Sequence, residues 1–233
     1  VQEEDKPQGN NVMSIDLGLD NLATLVFKNN TDSYIINGKT IKSKNKYYNQ
    51  QINHLQSIRM KQVGSKHFKD TRKIKNLRLK RRNYINDYLH KASKKIIQLA
   101  KDHNVNKIVI GDLKNIKQEL DNNKDFVAIP IQGLKKLIEY KAKLAGIEVN
   151  IINEAFTSGC SALDLEELKK DNHDKSRRIE RGLFVTNDNI KINADVNGAL
   201  NILRKFLNST PDSVKRRRDK GSVSHPPQRI RIA

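Results

Sequence analysis

Two aspartates sit in surroundings suited to metal-assisted phosphodiester chemistry. Asp16 lies within Ser14-Ile15-Asp16-Leu17-Gly18, in an apolar run near the start of the sequence. A carboxylate carried by such a run is costly to bury unless a cation or a hydrogen-bond donor meets it. Gly18, two residues on, lets backbone or ligand approach closely. Asp195 lies near the other end, in Asn193-Ala194-Asp195-Val196-Asn197-Gly198-Ala199, where an apolar helical pattern begins and small residues allow close helix–sheet packing. Each has a simpler account taken alone, a turn-capping aspartate at 16 and a helix N-cap at 195. Asp-x-Gly also serves actin-like ATPases, but no hydroxyl residue follows Gly18 directly and no Gly-Gly pair exists for a second phosphate loop. Two acids on separate core elements of a basic chain favour ligation of divalent cations, which take hard oxygen donors.

The elements that must position these acids follow from hydrophobic periodicity. Residues 12–18, 22–28 and 33–36 read as three strands, broken at 19–21 and ended by Asn37-Gly38. The period then changes. Tyr48, Ile52 and Leu55 recur at helical spacing before Gly64, and Ile85, Tyr88, Leu89, Ala92, Ile96 and Leu99 form one apolar helical face. Residues 107–111 and 148–152 read as buried strands. Between them Leu134, Leu137, Ile138, Ala142 and Ala145 predict an amphipathic helix stopped at Gly146. A last helix carries Val196, Ala199, Leu200, Leu203 and Phe206. The order β-β-β-α-α-β-α-β-α predicts an α/β fold of RNase H-like topology, a mixed sheet flanked by helices with a long helical insertion after the third strand. The expected layout is a linker or truncated domain boundary at 1–11, an RNase H-like domain at 12–208 and a basic tail at 209–233. Within the domain, 42–103 is the basic helical insertion and 157–192 a lid-like insert.

Composition narrows the partners. Lys and Arg number 45 against 26 Asp and Glu, a formal net charge of +19. Such an excess points to a polyanion, because each neutralised phosphate releases condensed counterions. The charge is concentrated in Arg59, Lys61, Lys69, Arg72, Lys73, Lys75, Arg78, Lys80, Arg81 and Arg82, with a second group at Arg177, Arg178 and Arg181. Like charges without matching acids repel, so these residues read as phosphate-facing rather than as a solvated surface. The single Cys160 excludes an internal disulfide and a cysteine-based zinc site, and a cytoplasmic location is expected. No apolar run approaches the ~20 residues that span a bilayer. The sequence opens on Val1, and a fragment or an unusual start is the expectation.

Several ordered segments resemble the TnpB (OrfB) family of transposon-encoded, RNA-guided DNA endonucleases. MSIDLGLDNLATLV is similar to the family's first RuvC motif, YYNQQINHLQS and NDYLHKASKKII to its intervening helices, INADVNGALNILRK to its third RuvC motif, and VSHPPQRIRIA to its usual ending. The resemblance runs over nearly the whole chain from about Val12. It implies a RuvC-type nuclease domain that cuts DNA under the guidance of bound RNA, with Asp16 and Asp195 holding Mg²⁺ or Mn²⁺.

Three departures from the family pattern are visible. Most members carry a glutamate at the end of the fourth strand, where this chain has Gly111; its neighbour Asp112 would point to the opposite face. A subset of the family has glycine there and a later glutamate closing Lys-Gln-Glu, which implies Glu119 as the third metal ligand. Second, only Cys160 stands where many relatives carry a four-cysteine zinc ribbon, so no zinc is expected and the segment around Arg177–Leu183 is expected to act as a nucleic-acid-facing lid. Third, the family's N-terminal half, which recognises the target-adjacent motif and much of the guide RNA, has no counterpart here. That expectation, with Gly111, supports the alternative of a nuclease-decayed or truncated RNA-guided DNA-binding protein.

Overall fold

A computed structural model describes residues 9–112, 129–174, 176–180, 182–219 and 226–232. The chain begins with an antiparallel meander, β1 (Asn11–Leu17), β2 (Asn21–Phe27) and β3 (Ser33–Asn37). Two long helices follow, α1 (Lys39–Val63) and α2 (Arg72–Asp102), then β4 (Val105–Asp112), α3 (Ile131–Leu144) and β5 (Glu148–Asn153). β4 pairs parallel to β1, and β5 parallel to β4. A short hairpin, β6 (Leu183–Val185) and β7 (Lys191–Asn193), leads into α4 (Ala194–Leu207) and the short α5 (Asp212–Arg218). The last element, β8 (Gln228–Ile230), pairs parallel to β3, giving the sheet order β5-β4-β1-β2-β3-β8. This is the mixed α/β, RNase H-like arrangement expected from the periodicity.

Both faces of the sheet are covered, which is why β1, β2 and β4 read as nearly continuous apolar runs. Met13, Ile15, Leu17, Ile108 and Ile110 pack with Leu89, Ala92 and Ile96 of α2 and Leu134, Ile138 and Ala142 of α3. The alternate residues Val12, Val26 and Val109 meet Val196, Ala199, Leu200, Ile202 and Leu203 of α4. Period-two alternation therefore sets Ser14 and Asp16 on the α4 face.

The helical insertion is anchored at one end. Thr71 caps α2, its side chain accepting from the Ile74 backbone N–H at 3.3 Å. Apart from Ile74, the buried residues of α2 run from Ile85 onward. α1 buries Ile41, Asn45 and Ile52 and ends at Gly64, which supplies the left-handed φ of 66°. Arg81 Nε donates to Asn45 Oδ1 at 2.6 Å and ties the two helices together.

The segment 209–233, read from sequence as a basic tail, includes two regular elements. α5 buries Val214 and Arg217, and the Arg217 guanidinium donates to the Thr31 carbonyl. β8 covers the β3 edge through three paired residues. The region read as a lid-like insert, 157–192, likewise contains β6 and most of β7.

Candidate active site

Asp16 is held on β1 opposite Thr24 of β2 and beneath α4. Packing is close: a Cβ at Gly198 would lie 2.9 Å from Asp16 Oδ2, so a larger residue there would have to displace this carboxylate. Next to Asp16, Ser14 Oγ donates to the Ala199 carbonyl at 2.6 Å and fastens the same strand to the same helix.

Asp195 stands one turn before Gly198. The capping role belongs to Asn193, whose Oδ1 accepts from the Asp195 and Val196 backbone N–H groups, both at 3.1 Å. This removes the simplest alternative account of Asp195 and leaves its carboxylate to face the cleft. There Oδ2 accepts from Asn21 Nδ2 at 2.5 Å, and Oδ1 from Arg178 at 3.2 Å. The cleft has a volume of about 600 Å³, and its walls include Asp16, Asp20, Asn21, Asp195 and the cations Lys39, Arg178 and Arg229. It opens at the carboxyl end of β1, where ligands of open α/β sheets gather.

Electrostatics set Asp16 apart. Burial pushes its carboxyl well above the usual carboxylate range, Glu154 and Asp195 push it further, and Arg178 opposes them. No described residue donates a hydrogen bond to the Asp16 carboxylate. An oxygen donor of this kind, beside a second carboxylate and in a cleft, fits a hard divalent cation. Among the described residues, no three Asp, Glu, His or Cys side chains are already gathered closely enough to hold a metal.

Glu154, which sequence reasoning passed over, immediately follows β5. Gly111 pairs with Ile152, and Ile152 packs on the α4 side. A Cβ at Gly111 would lie 2.5 Å from Glu154 Oε2 and 2.9 Å from Ile202 Cδ1, so the glutamate reaches over the glycine. Burial raises the Glu154 pKa, with Asp112 adding to it and Lys135 opposing. Asp112 itself lies on the other face, where Lys135 Nζ approaches Oδ1 at 3.4 Å. The parity argument against Asp112 thus holds.

The third carboxylate expected from the resemblance, Glu119, lies outside the described residues, as does Arg181. Arg177 is engaged internally, with Glu166 Oε1 at 2.7 Å and Asp164 Oδ2 at 3.6 Å, whereas its neighbour Arg178 reaches the site. On the α1–α2 hairpin, Lys61, Lys69, Arg72, Lys73, Lys75, Lys80 and Arg82 are exposed. Arg78 meets Asp70 at 2.8 Å, Arg81 is taken up by Asn45, and Arg59 is half-buried. A groove lined by Lys75, Arg78, Arg81 and Arg82 runs beside Pro130.

No described helix is long and apolar enough to cross a membrane. The model of the OrfB_IS605 family, described as a probable transposase, matches residues 1–117, and that of the Cas12f1-like TNB domain matches residues 132–202. The chain is 31% identical over 218 residues to a TnpB-like protein, ORF457, of Acidianus two-tailed virus, covering 91% of this chain and 45% of the relative. It is 33% identical over 152 residues to the CRISPR-associated endodeoxyribonuclease Cas12f2 of a Micrarchaeota archaeon, covering 60% of this chain and 27% of the relative. The chain thus spans less than half the length of either. In fold it is similar to the protein of a Cas12f1–sgRNA–target DNA complex, with a TM-score of 0.63 at 20% identity over 87% of this chain and 51% of that one. With its RuvC-like fold and a family model matching its first half, the chain belongs to the OrfB_IS605 family of TnpB-like probable transposases.

Proposed function

We propose that this chain is the nuclease portion of a transposon-encoded, RNA-guided endonuclease and cleaves DNA with divalent cations. The observation that carries the reading is the meeting of Asp16 and Asp195, from opposite ends of the sequence, in one cleft with a cationic rim. Asp16 and Asp195 would hold Mg²⁺ or Mn²⁺, and such ions supply Lewis-acid activation of water and of the leaving oxygen.

The chain's own groups do the positioning. Asn21 fixes the rotamer of Asp195 through its hydrogen bond to Oδ2, and Asn193 fixes the first turn of α4 beneath it. Lys39 and Arg229 on the rim draw a phosphodiester towards the carboxylates. Arg178 balances the negative charge of Asp195 until a phosphate or cation replaces it. Exposed Lys73, Lys75, Lys80 and Arg82 would track the backbone of a guide–target duplex or displaced strand.

A second reading, an RNA-guided DNA-binding protein without cleavage, is favoured by Gly111 in place of the family's glutamate. Cleavage of labelled single- and double-stranded DNA with Mg²⁺ or Mn²⁺ separates the two. Asp16→Ala and Asp195→Ala are expected to lower the rate by roughly 10³-fold or more, about 4 kcal/mol of barrier, while salt-dependent binding persists. Metal-dependent cutting retained by either variant would remove the metal-site reading.

A further inference from the structure

The sheet leaves a gap at Gly111, and Glu154 fills it. The β1–β4 register runs to Ile15 opposite Ile110, and its next step sets Asp16 alongside Gly111. Directly paired residues of neighbouring strands point to the same face, so a side chain at 111 would share the α4 face with Asp16. The space it would use holds the Glu154 carboxylate, with Oε2 only 2.5 Å from the would-be Cβ. We propose that Glu154 is the third metal-ligating carboxylate of this site, delivered from the end of β5 to the place that Gly111 leaves open beside Asp16. This rests on the divalent-cation reading given above.

The backbone around Glu154 is built to hold a position. The Glu154 carbonyl accepts from Thr157 N–H at 3.1 Å and from Thr157 Oγ1 at 2.7 Å, closing a tight turn directly after β5. α4, which carries Asp195, grips that turn: Asn201 Nδ2 donates to the Thr157 and Cys160 carbonyls at 2.9 and 2.8 Å. One turn earlier, Asn197 Nδ2 donates to the Cys160 carbonyl at 2.8 Å and Asn197 Oδ1 accepts from Ala162 N–H at 2.9 Å. Both asparagines are fully buried. A ligand whose backbone is locked to the element bearing another ligand is how precise sites are supported.

The side chain, by contrast, is left to a cation. No described residue donates a hydrogen bond to the Glu154 carboxylate, and the nearby Lys135 is directed to Asp112 on the opposite face. Asp195, the ligand carried by α4, is engaged by Arg178 at 3.2 Å.

Mn²⁺ uptake followed by electron paramagnetic resonance tests this without requiring cleavage, RNA or DNA. Glu154→Gln is expected to weaken Mn²⁺ binding by about tenfold or more, since even residues supporting a ligand cost 10–100-fold. Glu119→Gln should bind like the unaltered chain. Moving the carboxylate back, in the double variant Gly111→Glu with Glu154→Ala, is expected to restore binding relative to Glu154→Ala alone. Undiminished uptake by Glu154→Gln, with uptake lost in Asp16→Asn, overturns the assignment and leaves the divalent-cation reading intact. A folded double variant that binds no better than Glu154→Ala makes the residue structural and also overturns it. An unaltered chain that takes up no Mn²⁺ overturns the divalent-cation reading itself, and this assignment with it.

Discussion

The two faces of the central sheet are made from alternate residues of the same strands, yet they are built to different rules. On the face covered by α2 and α3, Met13, Ile15, Leu17, Ile108 and Ile110 form an unbroken apolar layer. On the face covered by α4, the apolar contacts of Val12, Val26 and Val109 give way along the strands to Ser14, Thr24, Asp16, Gly111 and the overlying Glu154. The first face supplies the free energy of folding through close packing. The second gives up part of that packing to hold polar groups in place, and it offsets the loss with side-chain hydrogen bonds such as Ser14 to Ala199 and Asn201 to Thr157. A single sheet can do both because consecutive side chains along each strand point to opposite faces.

Substitutions on the two faces should therefore differ in size and in sign. Ile15→Ala removes a fully buried side chain from the apolar layer and is expected to cost about 2–5 kcal/mol, read as a shifted denaturant midpoint. A cost below the lower bound would show that α2 and α3 collapse onto the gap. Ser14→Ala, one residue away on the other face, deletes one hydrogen bond and should cost roughly 1 kcal/mol. A cost matching Ile15→Ala would erase the distinction between the faces.

The smallest expected effect is the most telling in direction. Asp16→Asn should stabilise the metal-free protein at neutral pH. The folded pKa of Asp16 is raised, so its favourable contribution is present below the unfolded pKa and is lost as pH rises through the folded value. The melting-temperature gain of Asp16→Asn should accordingly be larger at pH 8 than at pH 4. Added Mn²⁺ should narrow it by stabilising only the unaltered chain. A gain that is flat with pH would mean that Asp16 is not held against its charge.

Much of this division is legible in the sequence, because it depends on local pattern. The three opening strands, the helix after Asn193 and the placement of Asp16 and Asp195 follow from apolar period and capping chemistry. β8 does not. Three residues in Pro226-Pro227-Gln228-Arg229-Ile230 become a strand only because the β3 edge is free to receive them. β6 and β7 are equally short and depend on each other. Glu154 was missed for a related reason: one residue beyond the apolar run of β5, it looks like the start of a loop. The available signal was parity. Ile152 faces α4, Glu154 lies two residues on, and the glycine at 111 on the adjoining strand is the small partner that a reaching side chain requires.

The distance along the chain between the parts of the cleft has a kinetic consequence. The Asn21–Asp195 hydrogen bond joins residues 174 positions apart, and Arg229, from the strand that covers β3, completes the cationic wall. Contacts of such sequence separation form late, after the entropy of closing a long loop has been met. As the chain leaves the ribosome, β1 and Asp16 emerge long before α4 and β8, so a nascent chain carries an incomplete centre throughout most of its synthesis. The fold thereby delays closure of the cleft until α4 and β8 have both been made.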